Sequence, residues 1–457
     1  MANVFRSILL LLILSSSCLG QNIPINDIVI DGTKVTKDFI VLRELPFAKG
    51  DVIDGQRIDQ LIAIAEQNLR NTELFNEIRI TPIPGFKGDL IILIELKELW
   101  YIFPSIIFRL ADPNFNIWWN TKDFSRVNYG LSYLQKNFRG RNERLSLRAQ
   151  TGYSKQFALS YKVPGINKKR TLGMVFFGGY RQFAEVTVGT QDNKRVFYDD
   201  LSGNTKELLQ FGIGLDHRPG FNLMQRIYLG WNSHSLSDSL ALNFSDHLNG
   251  QQDLNFLELS YLIDHKNVDF IAYPQKGHTW FFESQLKGIG ARPQDLFANI
   301  FLQFTVHNKI AERWVVQNGF KSKYSFFREL PYALQRGLGY SDAQVRGYGY
   351  YLVDGQAYAL LRNNLKYNIV KPDQLTLPIR NQRINKFKYA FYLNGFIDLG
   401  YVKDGLYSEN NFLDNKLLVG SGLGLDLVTI FNRVFRLEYA FNNINEHGLF
   451  LQYKKSI

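Results

Sequence analysis

The chain has 457 residues, 53 Lys and Arg against 42 Asp and Glu for a formal net charge of +11, 14% aromatic residues and a single cysteine. That one cysteine, Cys18, excludes a disulfide framework, a cysteine-based metal site and a cysteine nucleophile in everything that follows it. The basic residues are scattered, with no block of five or six like charges, which argues against a nucleic-acid tract and for a solvated basic surface or one facing anionic lipid.

The first element is a leader. A short basic start (Met1 to Arg6), the apolar run "ILLLLIL" (Ile8 to Leu14) and "SSSCLGQ" predict a secretory signal peptide over residues 1–20, with Cys18 and Gly20 at the small-residue positions before the cut. A lipoprotein cut before Cys18 is the alternative, disfavoured by Ser15 where a leucine-like residue is expected. Beyond the leader no apolar run approaches the ~18 residues that a membrane helix needs. The longest, "LIILIEL" (Leu90 to Leu96), is far too short. A membrane crossing by this chain therefore requires a closed β-barrel.

Residues 25–98 read as strand, helix, helix, strand, strand. "INDIVIDGTKVT" predicts a strand, a turn at Asp31-Gly32, and Thr36 as the N-cap of a helix over "KDFIVLREL". Asp54 precedes "GQRIDQLIAIAEQNLRNT", in which Ile58, Leu61, Ile62, Ala65 and Leu69 share one helical face. "FNEIRITPIP" and "GDLIILIELKE" follow as strands. The segments "IVIDGTKVTKDFIVLRELPFAKGDVI", "LRNTELFNEIRI" and the closing "IELKELW" resemble a POTRA domain, the periplasmic module of outer-membrane assembly barrels, in one copy.

From Tyr101 to the end the dominant signal has period two. In "RLSLRAQT", Leu145, Leu147, Ala149 and Thr151 alternate with Arg144, Ser146, Arg148 and Gln150. In "RVFRLEYAF", Phe435, Leu437, Tyr439 and Phe441 alternate with Arg436, Glu438 and Ala440. A soluble antiparallel sandwich also alternates. The recurrence over the whole of residues 101–457 without a second class of element, the aromatic content, and Tyr and Phe near strand ends favour a transmembrane antiparallel β-barrel of about 16 strands. Turn segments such as "NFRGRN", "HRPG", "YPQKG" and "NNINEHG" interrupt the alternation.

One connection is long. "QVRGYGYYLVDGQ" (Gln344 to Gln356) sits in a gap of about 30 residues, and loops of that length in a compact architecture are functional or disordered. Its tyrosines and low charge predict a loop folded inward against the barrel wall. An arginine carried inward needs a carboxylate, because an unpaired buried charge is very costly. "GFIDLGYV" (Gly395 to Val402) offers one: Ile397, Leu399 and Tyr401 face outward, and Phe396, Asp398 and Gly400 face the lumen. A bidentate pair from Arg346 to Asp398 is the expected fixing point, with Gly400 clearing space.

"VRGY" followed by "FIDLG" in a later strand resembles the paired motifs of the BamA/TamA-type, or surface-antigen, barrel superfamily. The resemblance implies a lumen-loop latch at Val345, Arg346, Gly347 and Tyr348, with Phe396, Asp398 and Gly400 as its acceptor on the wall. It also implies a C-terminal targeting strand at Gly448, Leu451 and Tyr453, although the chain closes on Ile457 where an aromatic is usual. Relatives often carry a glutamate where this chain has Asn364, so the latch is expected to rest on Asp398 alone.

The implied function is an outer-membrane protein assembly or insertion factor, with its POTRA domain in the periplasm. Its expected partners are unfolded outer-membrane client proteins and outer-membrane lipid, with accessory lipoproteins or periplasmic chaperones as further candidates. The alternative is a dedicated secretion pore exporting one partner protein, a class whose members usually carry two POTRA domains and a plug helix. The histidines make no H-E-x-x-H pair, and "GSGLGLD" (Gly420 to Asp426) lacks the helix that a phosphate loop opens. No catalytic residue, metal, cofactor or nucleic-acid partner is expected.

Overall fold

The computed structural model describes residues 22–86, 88–110, 124–200, 203–327, 330–340, 342–376, 378, 386–406, 408–429 and 433–455. The leader and the terminal Ile457 lie outside these described residues. The chain divides into two compact units, 1–99 and 100–457.

The first unit holds strands β1 (Asn22–Asp31), β2 (Val52–Asp54), β3 (Phe75–Pro84) and β4 (Leu90–Glu98), and helices α1 (Asp38–Leu42) and α2 (Ile58–Asn71). The sheet order is β2-β1-β4-β3, with β1 and β4 parallel at its centre. Ile25, Val41, Leu69, Ile92 and Ile94 are all but removed from solvent and form its core. Leu69 and Ala65 come from the face of α2 that the helical spacing marked. Gly32 ends β1 at φ +85°, and a Cβ there would overlap the carbonyl of Leu96, so only glycine makes this turn.

Two local expectations are corrected. Lys37, not Thr36, is the N-cap of α1, and no side chain caps that helix. The Thr36 amide instead donates to Glu98 Oε1, which also accepts from the Val35 amide. The short strand β2 was not foreseen, since three residues carry no period. Asp54 does act as a cap, accepting from the Gln56 amide.

The second unit is a barrel. Its wall runs in chain order through β5 (Ile102–Leu110), β6 (Val127–Phe138), β7 (Glu143–Gly152), β8 (Lys155–Val163) and β9 (Leu172–Phe183). After an excursion come β12 (Lys206–His217), β13 (Leu223–Leu236), β14 (Asp253–Val268), β15 (Gly277–Ile289), β16 (Phe297–Lys309) and β17 (Trp314–Phe327). The last five are β18 (Ala357–Thr376), β19 (Lys386–Lys403), β20 (Leu417–Thr429), β21 (Arg433–Asn442) and β22 (His447–Lys455). These make one sixteen-stranded antiparallel sheet with β5 and β22 at its ends. No described helix is long and apolar enough to cross a membrane.

Alternation sorts the two faces. On β21, Phe435, Leu437, Tyr439 and Phe441 are about half exposed and outward, while Arg436, Glu438, Ala440 and Asn442 are buried inward. An apolar exterior over a polar interior is the arrangement that lipid outside and water inside require. Short turns join strands at one end of the barrel, which also carries the start of β5 and the end of β22. Longer connections gather at the other, the loop end.

The excursion after β9 is a two-stranded hairpin, β10 (Glu185–Gln191) and β11 (Lys194–Asp199), that pairs only with itself. Its tip, Asp192-Asn193, has φ +51° and +56°, the twist that a two-residue hairpin turn needs. Asn193 is fully buried and joins this hairpin to two loops. Its carbonyl accepts from the Leu352 amide of the loop between β17 and β18 at 2.8 Å. Its side chain donates to Asp414 Oδ1 at 2.7 Å and accepts from the Leu413 amide at 2.8 Å, both in the connection at 404–416. The hairpin is thus a lid pinned across the loop end.

Beneath the pin, Asp414 Oδ2 is buried with no hydrogen-bond partner among the described residues. Burial, aided by the charges of Asp404 and Asp354, pushes Asp414 up to about 7. Both neighbours are held elsewhere: Asp404 by Gln356 and the Leu406 amide, Asp354 by Tyr332, Tyr340 and Thr190. On the hairpin, Lys194 sits over the Tyr351 ring, 5.9 Å from its centroid. Because the closed lid holds the Asp414 proton more tightly than an open one, closure is favoured at low pH. That stabilisation fades as pH rises from about 4 to about 7. Protease cleavage at the 185–199 hairpin is expected to quicken over that window in the native chain, and Asp414→Asn is expected to flatten the profile.

Candidate functional site

The described part of the connection between β17 and β18, residues 330–340 and 342–356, folds into the lumen, as its tyrosines suggested. Val345, Arg346 and Tyr348 are buried, and Leu338, Ala343, Val345, Tyr348, Tyr351 and Val353 form an apolar cluster with Leu360, Val402 and Leu418 of the wall. The loop is a small core inserted into the barrel.

Arg346 is the centre of the insertion. Its side chain grips Asp398 with two bonds, Nε to Oδ2 at 2.8 Å and Nη2 to Oδ1 at 2.5 Å, and its backbone amide adds a third to Oδ2 at 3.1 Å. The guanidinium carbon lies 3.8 Å from the Phe396 ring centroid, so Phe396 and Asp398, two apart on one strand, supply a face and an edge to the same plane. Asp398 is completely buried and Arg346 nearly so.

The expectation that Asp398 acts alone is overturned. Arg346 Nη1 also donates to Asn364 Oδ1 at 2.8 Å and to Glu438 Oε1 at 3.2 Å. Asn364 faces the site as a neutral acceptor, and a second carboxylate arrives from β21. One signal for it was available: Glu438 is the lone acid on the inward face of "RVFRLEYAF". What the sequence hid was that β18, β19 and β21 present these residues at one height, which depends on strand register.

The polar contacts continue down the wall. Glu438 accepts from Gln452 of β22 at 2.9 Å and lies 3.7 Å from Arg436. Arg436 grips Asp426 with bonds of 2.6 and 2.7 Å, and Tyr273 donates to the same Asp426 at 2.7 Å. Tyr273 belongs to the "YPQKG" turn, whose tyrosine packs inside on Tyr392 at 4.5 Å between ring centroids. A connected series of charges and hydrogen bonds thus runs from the latch to the turn end.

Glycines admit the loop. A Cβ on Gly420 would overlap the Arg346 carbonyl oxygen, and one on Gly400 would overlap Val345. "GSGLGLD" is accordingly a strand with a gap for the loop backbone. Gly347 has φ +91° and passes close to the Phe441 carbonyl.

The residues after the arginine reach the last hairpin, β21 and β22. The Gly347 carbonyl accepts from Asn442 Nδ2 at 2.9 Å, the Tyr348 hydroxyl bonds Asn443, and the Tyr351 hydroxyl donates to Glu446 at 2.7 Å. Tyr350 lies against Phe450 at 5.7 Å between centroids, and a Cβ on Gly349 would press that same ring. Gly448, Leu451 and Tyr453 lie on β22, paired with Ala440, Leu437 and Phe435. Leu451 faces outward and is largely exposed. Among the described residues no backbone pairing joins β22 to β5. Among the described residues β22 pairs with β21 and touches the latched loop.

Comparison with known proteins agrees with this architecture. Residues 23–99 match the POTRA family model described as a surface antigen variable number repeat. Over 189 residues the chain is 24% identical to the outer membrane protein assembly factor BamA of Nitratidesulfovibrio vulgaris, a match covering 40% of this chain and 20% of the relative. Among solved structures, BamA from Haemophilus ducreyi lacking POTRA domains 1–3 superposes with a TM-score of 0.53 at 14% identity, over 95% of this chain and 84% of that one. CdiB from Escherichia coli gives 0.52 at 11% identity, over 96% and 91%.

Residues 23–99 thus match the POTRA family, and the chain shares the POTRA-plus-barrel fold of these BamA and CdiB structures. Within this POTRA-plus-barrel protein, Arg346 and Asp398 make a buried ion pair, and removing one partner of such a pair costs about 3–5 kcal/mol because the other charge is stranded. Asp398→Asn and Arg346→Ala are expected to lower the temperature at which the folded barrel loses its compact mobility in cold-loaded SDS gels. Both are also expected to expose the 328–356 loop to protease. Exchange of Phe396 for leucine, which keeps the volume and loses the ring face, is expected to give a smaller shift of the same sign.

Proposed function

We propose that the protein is an outer-membrane protein assembly or insertion factor, with the POTRA domain in the periplasm and the barrel in the outer membrane. The carrying observation is the seam. The edge strand β22 has no described backbone partner on its β5 side and is steadied by the latched loop through Asn442, Asn443, Glu446 and Phe450. An unpaired edge is a template for an incoming strand, because its free amides and carbonyls bond any backbone regardless of sequence.

The POTRA sheet offers a second edge of the same kind. β3 borders it, paired only with β4, and its stretch from Phe75 to Thr81 precedes Pro82 and Pro84, which cannot donate. A client strand added there is held by backbone bonds and passed on without chemistry. In this reading no catalytic residue, metal or cofactor takes part. Unfolded outer-membrane proteins are the clients, and lipid is the medium into which they are released. Periplasmic chaperones or accessory lipoproteins deliver them.

The match to a curated assembly factor supports this reading. The likeness to CdiB keeps a second reading in play, a pore that exports one partner protein through the lumen. Depletion of the protein followed by quantitative proteomics of the outer membrane separates the two. A broad fall in barrel proteins with a growth defect is expected. Loss of one secreted protein with the barrel proteome intact would instead assign the chain to export.

A further inference from the structure

The loop-end third of the lumen gathers cations with too few acids. Lys206, Lys287 and Lys323 lie on the inward faces of β12, β15 and β17, and Arg336, itself exposed and stacked on Tyr340 at 4.9 Å, comes from the inserted loop. Lys206 and Lys323 are nine-tenths or more buried. Among the described residues neither has a carboxylate within ion-pair distance. Lys206 Nζ lies 3.0 Å from His247 Nε2 instead, and Lys323 Nζ donates to the Arg336 carbonyl at 2.8 Å. Arg336 lies within electrostatic reach of Lys206, Lys323, His234 and His247. Against these four cations stand Glu258, 3.6 Å from Lys287, Glu283, within electrostatic reach of the same lysine, and Asp354, which already serves two tyrosines and a threonine.

The same region holds buried donors that donate to nothing. A charged Lys206 can only donate to His247 Nε2, which puts the ring proton on Nδ1, and that atom has no hydrogen-bond partner among the described residues. Gln335 Nε2, on a fully buried side chain, likewise donates to nothing, and the buried His234 Nδ1 has no hydrogen-bond partner among the described residues. Burial, with the charges of Lys206 and Arg336, holds His247 down at about 3, so it remains a neutral donor here rather than a fifth charge. An apolar cap including Val186, Leu240, Leu248 and Phe256 lies above, which keeps the local dielectric low. Buried charges persist only when paired, and buried donors only when bonded. One kind of ligand meets both needs at once.

We propose that this part of the lumen binds a phosphate-class oxyanion, held by Lys206, Lys323 and Arg336 with His247 Nδ1 and Gln335 Nε2 as neutral donors. The phosphate comes either from inorganic phosphate or from a lipid headgroup. Bound there, it joins β12, β17 and the inserted loop, and it stabilises the barrel by mass action.

The test uses the full chain in an uncharged detergent at pH 7 and constant ionic strength, with sodium chloride replaced stepwise by sodium phosphate. The native chain is expected to gain a few degrees in its unfolding midpoint and to retain about one phosphate per chain on equilibrium dialysis. Lys206→Met with Lys323→Met should lose both effects. That variant is itself expected to fold, since apolar replacement of uncompensated buried charges is often stabilising. A parallel arm compares vesicles of phosphatidylcholine with vesicles containing phosphatidylglycerol. A midpoint rise confined to the latter, and absent from the double variant, would assign the phosphate to a lipid. Overturning results are no rise in either arm, or equal rises in the native chain and the double variant. Either would mean that the two lysines are buried uncharged.

Discussion

A buried guanidinium has few places to be. Arg346 is fixed by three bonds to Asp398, one each to Asn364 and Glu438, and the face of Phe396, drawing on the three strands β18, β19 and β21. Its cost in desolvation is offset only if all of these are at one height, so the shear of β18, β19 and β21 and the path of the inserted loop are set together. The loop then fills the lumen, the glycines at 400 and 420 become obligatory, and the residues that follow are delivered to the last hairpin. Specificity of position, more than net stability, is what such a pair provides here.

From this the division of labour in the barrel follows. The wall is generic: outward apolar, inward polar, and tolerant of exchange so long as the period is kept. The contents are particular. The latch, the polar series from Glu438 through Arg436 and Asp426 to Tyr273, and the Asn193 pin of the lid each join elements that no sheet hydrogen bond connects. A barrel so filled is stiff where its loop is anchored and weakest at the β22 edge, where one backbone ladder and a few tyrosine contacts do the holding.

How much of this was legible beforehand depended on range. Period-two alternation is local, and it announced the barrel, its strand number and the inward placement of Asp398. The Arg346 to Asp398 pairing was legible because an inward arginine must have a carboxylate and few were on offer. Glu438 was missed because its relation to Arg346 is a matter of register across several strands. The hairpin at 185–199 was missed as a lid because "QDNK" shows only that a turn occurs, not where its asparagine ends up. Thr36 was given to a helix cap on local grounds, and the distant Glu98 took its amide instead. Local rules lost where the partner was chosen by strand register or by tertiary approach rather than by the need to pair a buried charge.

The central claim is that the latch steadies the seam strand at a distance. Amide hydrogen exchange of the intact protein in detergent, native against Asp398→Asn, tests it directly. The account predicts faster exchange confined to the inserted loop and to residues 443–455, with the wall from β12 to β16 unchanged. Unaltered exchange in residues 443–455, with the loop alone released, would show that the last hairpin holds itself and would contradict the account.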